Sequence, residues 1–477
     1  MSPPLHALDT ATLAALYRQG ELSPVAVAQA VIAQVQRCEP QLHATYAFQP
    51  EAALAMARAS EARFQQGRPL SPLDGVPVTV KENIATQGTP LPLGTAATVL
   101  TPAAADAPPA ARLREAGAVL ISKTTMPDYG MLSSGLSSFH ALTRNPWRLD
   151  RNPGGSSAGA GAAAAAGYGP LHIGTDIGGS IRLPATWCGV VGFKPSNGRI
   201  PIQPAYLGRV AGPLARTVHD VALAMAELSR PDVRDATSLP YQALDWAAGL
   251  GLGEDPAATL RGRKVGRWLD AGWGQPQQPG TLAVVQQAAR VFEAAGAVVQ
   301  PLAPFATREA TREMADGINR FWRMRSYLDI QALPEERRAK VLPFIRDWVA
   351  AGAGYSAAEV FHGYSQFAAL RDATVAACAP FDVVLSPVAP DVAFNAEWAM
   401  PSNNPLQAME HIAYTLPFNM SEQPAVSVPA GFDVDGLPVG VQLVGPRHAD
   451  VPLLRVAHAF ERLRAPLRPW PCDAAAG

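Results

Sequence analysis

Residues 154–200 read GGSSAGAGAAAAAGYGPLHIGTDIGGSIRLPATWCGVVGFKPSNGRI and hold two serine-bearing glycine turns, Gly154-Gly155-Ser156-Ser157 and Gly178-Gly179-Ser180. Glycine accepts backbone angles and close approaches that other residues resist. Clustered around hydroxyls, it exposes successive backbone N–H groups, and such groups beside a nucleophile hold the oxyanion of an acyl transfer. The Ala/Gly run between the turns reads as a helix that lets two backbones approach closely, bringing both turns to one place. Its N-terminus near Ser156 and Ser157 adds positive dipole there.

Outward from this stretch, Val76–Val80 (VPVTV) reads as a buried β-branched strand with Lys81 at its C-terminal end. A helix around Pro108–Ala116 and a strand Ala118–Ser122 follow, and strand–helix–strand order marks a parallel sheet with right-handed crossovers. Ser23-Pro24 caps the helix VAVAQAVIAQVQR, and Thr217-Val-His-Asp220 reads as a capping box. Lys264–Trp268, a helix over Leu282–Ala295 and Val298–Leu302 repeat the β-α-β pattern. Long helices carrying Trp322 and Trp348 span about 305–378, and Asp382–Val388 is another strand. Ala425–Phe432 and Pro438–Gly445 form a hairpin through Asp433-Val-Asp-Gly436, and Asp450 caps a last helix. The expectation is α/β: a single large domain over 1–477 with a mixed, mostly parallel sheet covered by helices on both faces.

Hydrophobic residues make up 48% of the 477 and charged residues 17%, which fits a soluble, well-packed chain. A net charge of −1 without a basic stripe argues against nucleic acid as a partner. The four cysteines, Cys38, Cys188, Cys378 and Cys472, are dispersed with no CxxC pair, which speaks against a zinc site or disulfide scaffold and for a reducing compartment. The N-terminal residues lack the basic region and apolar run of a signal peptide, and no segment approaches the ~18–20 apolar residues of a membrane span. A cytoplasmic protein without metal, cofactor or membrane partner is expected, with room for a homodimer.

If Ser180 Oγ attacks a carbonyl, the N–H groups of Ile177, Gly178, Gly179 and Ser180 are the natural oxyanion donors. A serine needs a base, yet His172 falls in a strand and His219 in a capping turn, and neither sits in a triad context. A lysine can replace histidine when desolvation lowers its pKa. Lys81 suits that role; on its residues alone, an ammonium that reaches solvent or pairs with Glu82 is the commoner reading.

GGSSAG, TDIGGSIRLPA and CGVVGFKPS together resemble the amidase signature family. The resemblance extends to Gly75–Asn83, Thr143-Arg-Asn-Pro-Trp147, Gly212–Thr217, Phe418–Ala425 and Gly436–Gly445, and is weakest from 230 to 380. It implies a catalytic core over about 65–230 and 380–465, and a variable helical pocket region over about 230–380. It also implies a Ser–Ser–Lys triad: Ser180 as acylated nucleophile, Ser156 as bridging serine after a cis peptide bond, and Lys81 as terminal base. Ser157, Thr175, Asp176 and Arg182 would then brace the site, and Met131, Leu132 and Phe139 fall where the family's acyl pocket is often lined.

Two other motif readings lack their strand. Gly155-Ser-Ser-Ala-Gly159 matches the G-x-S-x-G elbow of α/β-hydrolases, and Gly159-Ala-Gly161-Ala-Ala-Ala164 matches a dinucleotide-binding turn. The residues before them, Trp147–Pro153, are loop. The expected reaction is hydrolysis of a neutral carboxylic amide, aryl or aliphatic, with esters or carbamates as relatives. Should Phe321, Trp322, Met324, Tyr327, Trp348 or Phe361 line a cleft, the substrate is apolar. The alternative is the glutaminase subunit of an amidotransferase, which needs an acid for an α-amino group; Ala408–Tyr414 offers only Glu410. Glu422 stands where the family usually has glycine.

Overall fold

The computed structural model describes residues 3–472. Its strands are β1 (Thr45–Tyr46), β2 (Pro77–Lys81), β3 (Val119–Thr124), β4 (Leu171–Asp176), β5 (Val191–Lys194), β6 (Val210–Ala215), β7 (Lys264–Trp268), β8 (Val298–Leu302), β9 (Val383–Pro387), β10 (Ala425–Phe432) and β11 (Pro438–Val444). They form one sheet in the order β1-β3-β2-β4-β6-β5-β10-β11-β9-β7-β8. Pairs β2–β3, β2–β4, β7–β8 and β7–β9 are parallel, and the remaining six are antiparallel. The mixed sheet expected from the sequence is there. Its parallel share is confined to the two flanks, because Leu171–Ala215 and Ala425–Val444 fold back on their neighbours instead of crossing over.

Strand alternation explains how helices cover both faces. Val78, Val80, Leu171 and Ile173 join a core that packs the helices Pro108–Glu115, Val218–Leu228, Pro279–Ala294 and Asp450–Leu463. Val119 and Ile121 face the other way, against the helices Pro24–Leu42 and Ala158–Ala166. Ser23 accepts from the amides of Val25 and Ala26 and so caps Pro24–Leu42 as its sequence predicts. Two caps differ. Thr217 accepts from the Asp220 amide at 3.0 Å, and the Asp220 carboxylate accepts both from the Thr217 hydroxyl at 2.7 Å and from the distant Thr10 amide at 2.7 Å. Asp450 is the first helical residue rather than the cap, and its carboxylate takes the Ser196 amide at 2.7 Å and Arg199 Nε at 3.2 Å. In both cases a distant backbone amide takes one carboxylate oxygen.

The Ala/Gly helix, Ala158–Ala166, is buried at all nine positions. A methyl group at Gly159 would stand 2.2 Å from the Ala44 carbonyl oxygen, and one at Gly161 2.9 Å from Pro184 Cβ. These two glycines therefore set how closely the helix approaches its neighbours, and with it the position of the serine loop at its N-terminus. Among the described residues no helix is long and apolar enough to cross a membrane.

Replacing glycine by alanine in a free helix gains about 1 kcal/mol, whereas overpacking against a fixed backbone costs ~1–3 kcal/mol or more. At Gly159 the clash should win, so Gly159→Ala is expected to lower unfolding free energy by about 1–3 kcal/mol in urea titration. A stabilised variant would mean that the helix can shift.

Candidate active site

β2 and β4 are parallel neighbours, with Val80 paired to Ile173, so Lys81 and Asp176 both lie at the carboxyl edge of the sheet. In an open α/β sheet this edge is where ligands bind. Val78 and Val80 enter the core on one face; Thr79 and Lys81 point to the other. Thr79 Oγ1 meets His172 Nδ1 at 2.8 Å, and burial pushes that imidazole down to about 3, so His172 is a neutral packing residue.

Lys81 is wholly buried, and its Nζ donates to Ser156 Oγ at 2.8 Å, Ser157 Oγ at 3.1 Å and Thr175 Oγ1 at 3.1 Å. Its pKa lies well below the ordinary 10.5, first because of burial and then because of the positive charge of Arg209, against the opposing pull of Asp176 and Glu82. Lys81 neither reaches solvent nor bonds Glu82. Glu82 Oε2 instead meets His140 Nε2 at 2.7 Å. The peptide bond Gly155–Ser156 is cis.

Ser180 is half-buried at the start of the turn into the helix Arg182–Cys188, and its carbonyl accepts from the Ser157 amide at 3.2 Å. Its hydroxyl bonds no protein group among the described residues and is free for a ligand. The amides of Ile177, Gly178 and Ser180 likewise have no protein acceptor among the described residues. Gly179 differs from the sequence expectation: its amide donates to Asp176 Oδ1 at 2.8 Å and is engaged in holding the turn.

That turn is fixed by a buried ion pair. Arg182 Nε and Nη2 grip Asp176 at 3.0 and 2.9 Å. Its remaining donors reach the Thr415 carbonyl at 3.0 Å, Gln442 Oε1 at 2.6 Å and Asn419 Oδ1 at 2.6 Å, so each of the five guanidinium N–H groups has an acceptor. Burial alone would raise the Asp176 pKa, but Arg182, Asn419 and the Ile181 amide hold it well below the usual carboxylate range. Asn419 and Gln442 lie inside C-terminal motifs visible in the sequence, where nothing marks them as partners of Arg182.

Around the serines, Tyr129 (φ 52°) and Gly130 (φ 68°) form a left-handed turn in which a methyl at Gly130 would stand 3.3 Å from Ser156 Oγ. The Asp128 carboxylate pins this turn through the Ser138 amide and hydroxyl at 2.8 and 2.7 Å. Leu132 is buried in the apolar cluster beside the Gly178–Ser180 turn, with Met131 and Ile177 packed against that cluster. Phe139, also expected there, packs edge-on against Tyr46 and His140 instead. A methyl at Gly178 would stand 3.2 Å from Ile412 Cδ1 and 3.8 Å from Trp322 Cη2, so these two side chains wall the turn. Glu422 sits at φ 63°, in the region that favours glycine, and its carboxylate pairs with Arg447.

The family profile for amidases matches residues 26–454. The chain is 34% identical to a glutamyl-tRNA(Gln) amidotransferase subunit of Chloroflexus aggregans, over 96% of this chain and 97% of that one. Among solved structures it is similar to a bacterial aryl acylamidase, with a TM-score of 0.87, 30% identity and coverage of 96% and 97% of the two chains. It is also similar to the peptide amidase of Stenotrophomonas maltophilia, with a TM-score of 0.79, 28% identity and coverage of 97% and 99%.

Removing one partner of a buried ion pair leaves an uncompensated charge, which costs ~3–5 kcal/mol. Asp176→Asn is expected to lose stability in that range by denaturant unfolding. A loss under about 1 kcal/mol would mean that Arg182 is neutralised elsewhere.

Proposed function

Because the chain belongs to the amidase signature family, hydrolases of amide C–N bonds, we propose that Ser180 attacks a carboxylic amide and is acylated, with Ser156 and Lys81 carrying the proton. The observation that carries this reading is the 2.8 Å contact of Lys81 Nζ with Ser156 Oγ beside the turn that presents Ser180. A neutral amine has two N–H donors and one lone pair, so one of its three hydroxyl partners donates to it. Ser157 Oγ gives its proton to the Thr175 carbonyl at 3.2 Å, which leaves Ser156 at 2.8 Å and Thr175 Oγ1 at 3.1 Å, and the shorter contact favours Ser156 at the lone pair.

As Ser180 Oγ bonds the carbonyl carbon, its proton moves to Ser156 Oγ and that of Ser156 moves to Lys81. The developing oxyanion meets the amides of Ile177, Gly178 and Ser180, each worth about 3–4 kcal/mol in such a site. The proton returns through Ser156 to the departing nitrogen, the C–N bond breaks, and water then cleaves the ester by the same relay in reverse.

For the substrate, we infer a hydrolase acting on an amide with an apolar acyl portion, since Ile177, Ile412 and Trp322 wall the nucleophile turn. The second reading is a glutaminase subunit of an amidotransferase. The Chloroflexus relative favours it, and the Glu410 carboxylate, half-buried with no hydrogen bond among the described residues, is its candidate for an amino group. Against it, the segment that would supply that acid presents the Ile412 methyl to Gly178.

Rates on benzamide, an anilide, an aliphatic amide, a p-nitrophenyl ester, a carbamate and glutamine separate the two readings. Turnover of glutamine alone would overturn the first. A trapped acyl-enzyme should map to Ser180 by peptide mass; a label on Ser157 would refute the assignment. Lys81→Ala and Ser156→Ala are each expected to lower kcat by about 10²–10⁴ or more with unfolding midpoints little changed. Only neutral Lys81 accepts a proton, so kcat/KM should rise with pH through its pKa and level off with a midpoint well below 10.5.

A further inference from the structure

Asn83 lies two residues after Lys81, in the turn that ends β2 and is closed by the Ile84 amide donating to the Lys81 carbonyl at 3.0 Å. The turn brings both side chains to one hydroxyl: Asn83 Nδ2 and Lys81 Nζ each donate to Thr175 Oγ1 at 3.1 Å. Asn83 Oδ1 is buried and has no hydrogen-bond partner among the described residues. Thr175 is fixed in place, since its backbone amide donates to Ser157 Oγ at 3.3 Å and its carbonyl accepts from the same oxygen at 3.2 Å.

Each hydroxyl proton around Lys81 must find an acceptor. A hydroxyl has one proton; a neutral amine has two N–H donors and one lone pair, and an ammonium three donors and no lone pair. With Ser156 at the lone pair, or with Lys81 protonated, Thr175 Oγ1 accepts from Lys81 and cannot give its own proton there. Ser157 has the Thr175 carbonyl for that purpose. For Thr175 the group within reach is the Asn83 amide, which here presents its nitrogen, a donor. A half-turn about the Asn83 Cβ–Cγ bond puts Oδ1 in that place. At Asn83 itself the exchange replaces a buried oxygen without a donor by a nitrogen without an acceptor, so the gain is at Thr175. With the nitrogen facing it, the Thr175 proton can go only to the Lys81 lone pair, where it displaces that of Ser156.

We propose that Asn83 is a positioning residue: its amide oxygen takes the Thr175 proton, keeps the Lys81 lone pair for Ser156 and stabilises the ammonium that follows. The proposal rests on Lys81 being the terminal base and adds what assigns its lone pair. No proton passes between Thr175 and Asn83; the Ser180 proton moves through Ser156 to Lys81, and the Thr175 hydroxyl only turns. Without Asn83 the neutral lysine takes the Thr175 proton at its lone pair, and the ammonium faces a hydroxyl whose proton has no acceptor. Both effects lower the Lys81 pKa and slow the relay. The charged groups acting on Lys81 are Arg209, Asp176 and Glu82. Arg209 follows Gly208, whose carbonyl accepts from Asn419 Nδ2 at 3.0 Å, and the two carboxylates are engaged by Arg182 and His140. Asn83 bonds none of the three among the described residues, so its side chain reaches the lysine through Thr175.

The test follows phosphonylation of Ser180 by an alkyl fluorophosphonate across pH, which requires no knowledge of the amide, together with kcat and KM on any amide turned over. Asn83→Leu should cut the plateau rate by about tenfold or more, through kcat rather than KM, and lower the pH midpoint by about half a unit or more. Asn83→Asp, which offers only acceptors and adds a negative charge, should raise the midpoint by about as much and keep more of the rate than Asn83→Leu. It also serves as the readout should Asn83→Leu fail to fold. In the Thr175→Val background, Asn83→Leu should change the rate by less than about twofold and leave the midpoint in place, because the group it acts through is gone. Midpoints unmoved in both Asn83 variants, or an Asn83→Leu effect undiminished by Thr175→Val, would overturn the proposal. If Lys81→Ala is slow while the Asn83 midpoints stay fixed, this assignment falls and the base stands. If Lys81→Ala is labelled as fast as the unaltered protein, the base itself falls and this assignment with it.

Discussion

The buried pair of Asp176 and Arg182 is the constraint on which the rest of the site depends. Asp176 ends β4 and takes the amides of Gly179 and Ile181, so the turn that presents Ser180 is wound around its carboxylate. Arg182 then ties that carboxylate to three distant points, Thr415, Asn419 and Gln442. A pair of this kind gains little over an apolar replacement, since desolvating two ions offsets their attraction. Its value here is geometric: it fixes a turn rich in glycine, whose backbone entropy would otherwise let the turn's amides wander.

The two serine loops meet because the helix between them has almost no side chains, and this is readable from the sequence. So are the lysine strand, the hairpin and most of the caps, since each depends on neighbours in the chain. Burial of Lys81 is readable too, but burial does not single it out. Lys123 and Lys194 are equally buried and both are pushed down to about 7 by desolvation. Lys123 donates to the Ile84 carbonyl and the Thr86 hydroxyl, and Lys194 to the Pro195 carbonyl. What separates Lys81 is that its partners are all hydroxyls. That distinction appears only in three dimensions.

The misplacements have a common physical form. Gly179 reads as an oxyanion donor because glycines expose amides, yet Asp176, three residues earlier, claims that amide first. Asp450 reads as a cap and Asp220 as part of a capping box, yet in each a distant backbone amide takes one carboxylate oxygen. Phe139 lies in a pocket-lining stretch of the chain, and its ring finds Tyr46 and His140. In each case local reasoning names the right group and a tertiary partner takes it. Arg209 is the reverse case. In the run Leu207-Gly208-Arg209-Val210 nothing distinguishes it from a surface arginine, and its place beside Lys81 comes from the turn that Asn419 holds.

Arg209 and burial act on Lys81 in the same direction: burial lowers its pKa most, the cation lowers it further, and Asp176 and Glu82 oppose them. Both carboxylates are already engaged, Asp176 by Arg182 and Glu82 by His140. In the proposed mechanism the lysine must accept a proton, and a lowered pKa enlarges the fraction ready to do so.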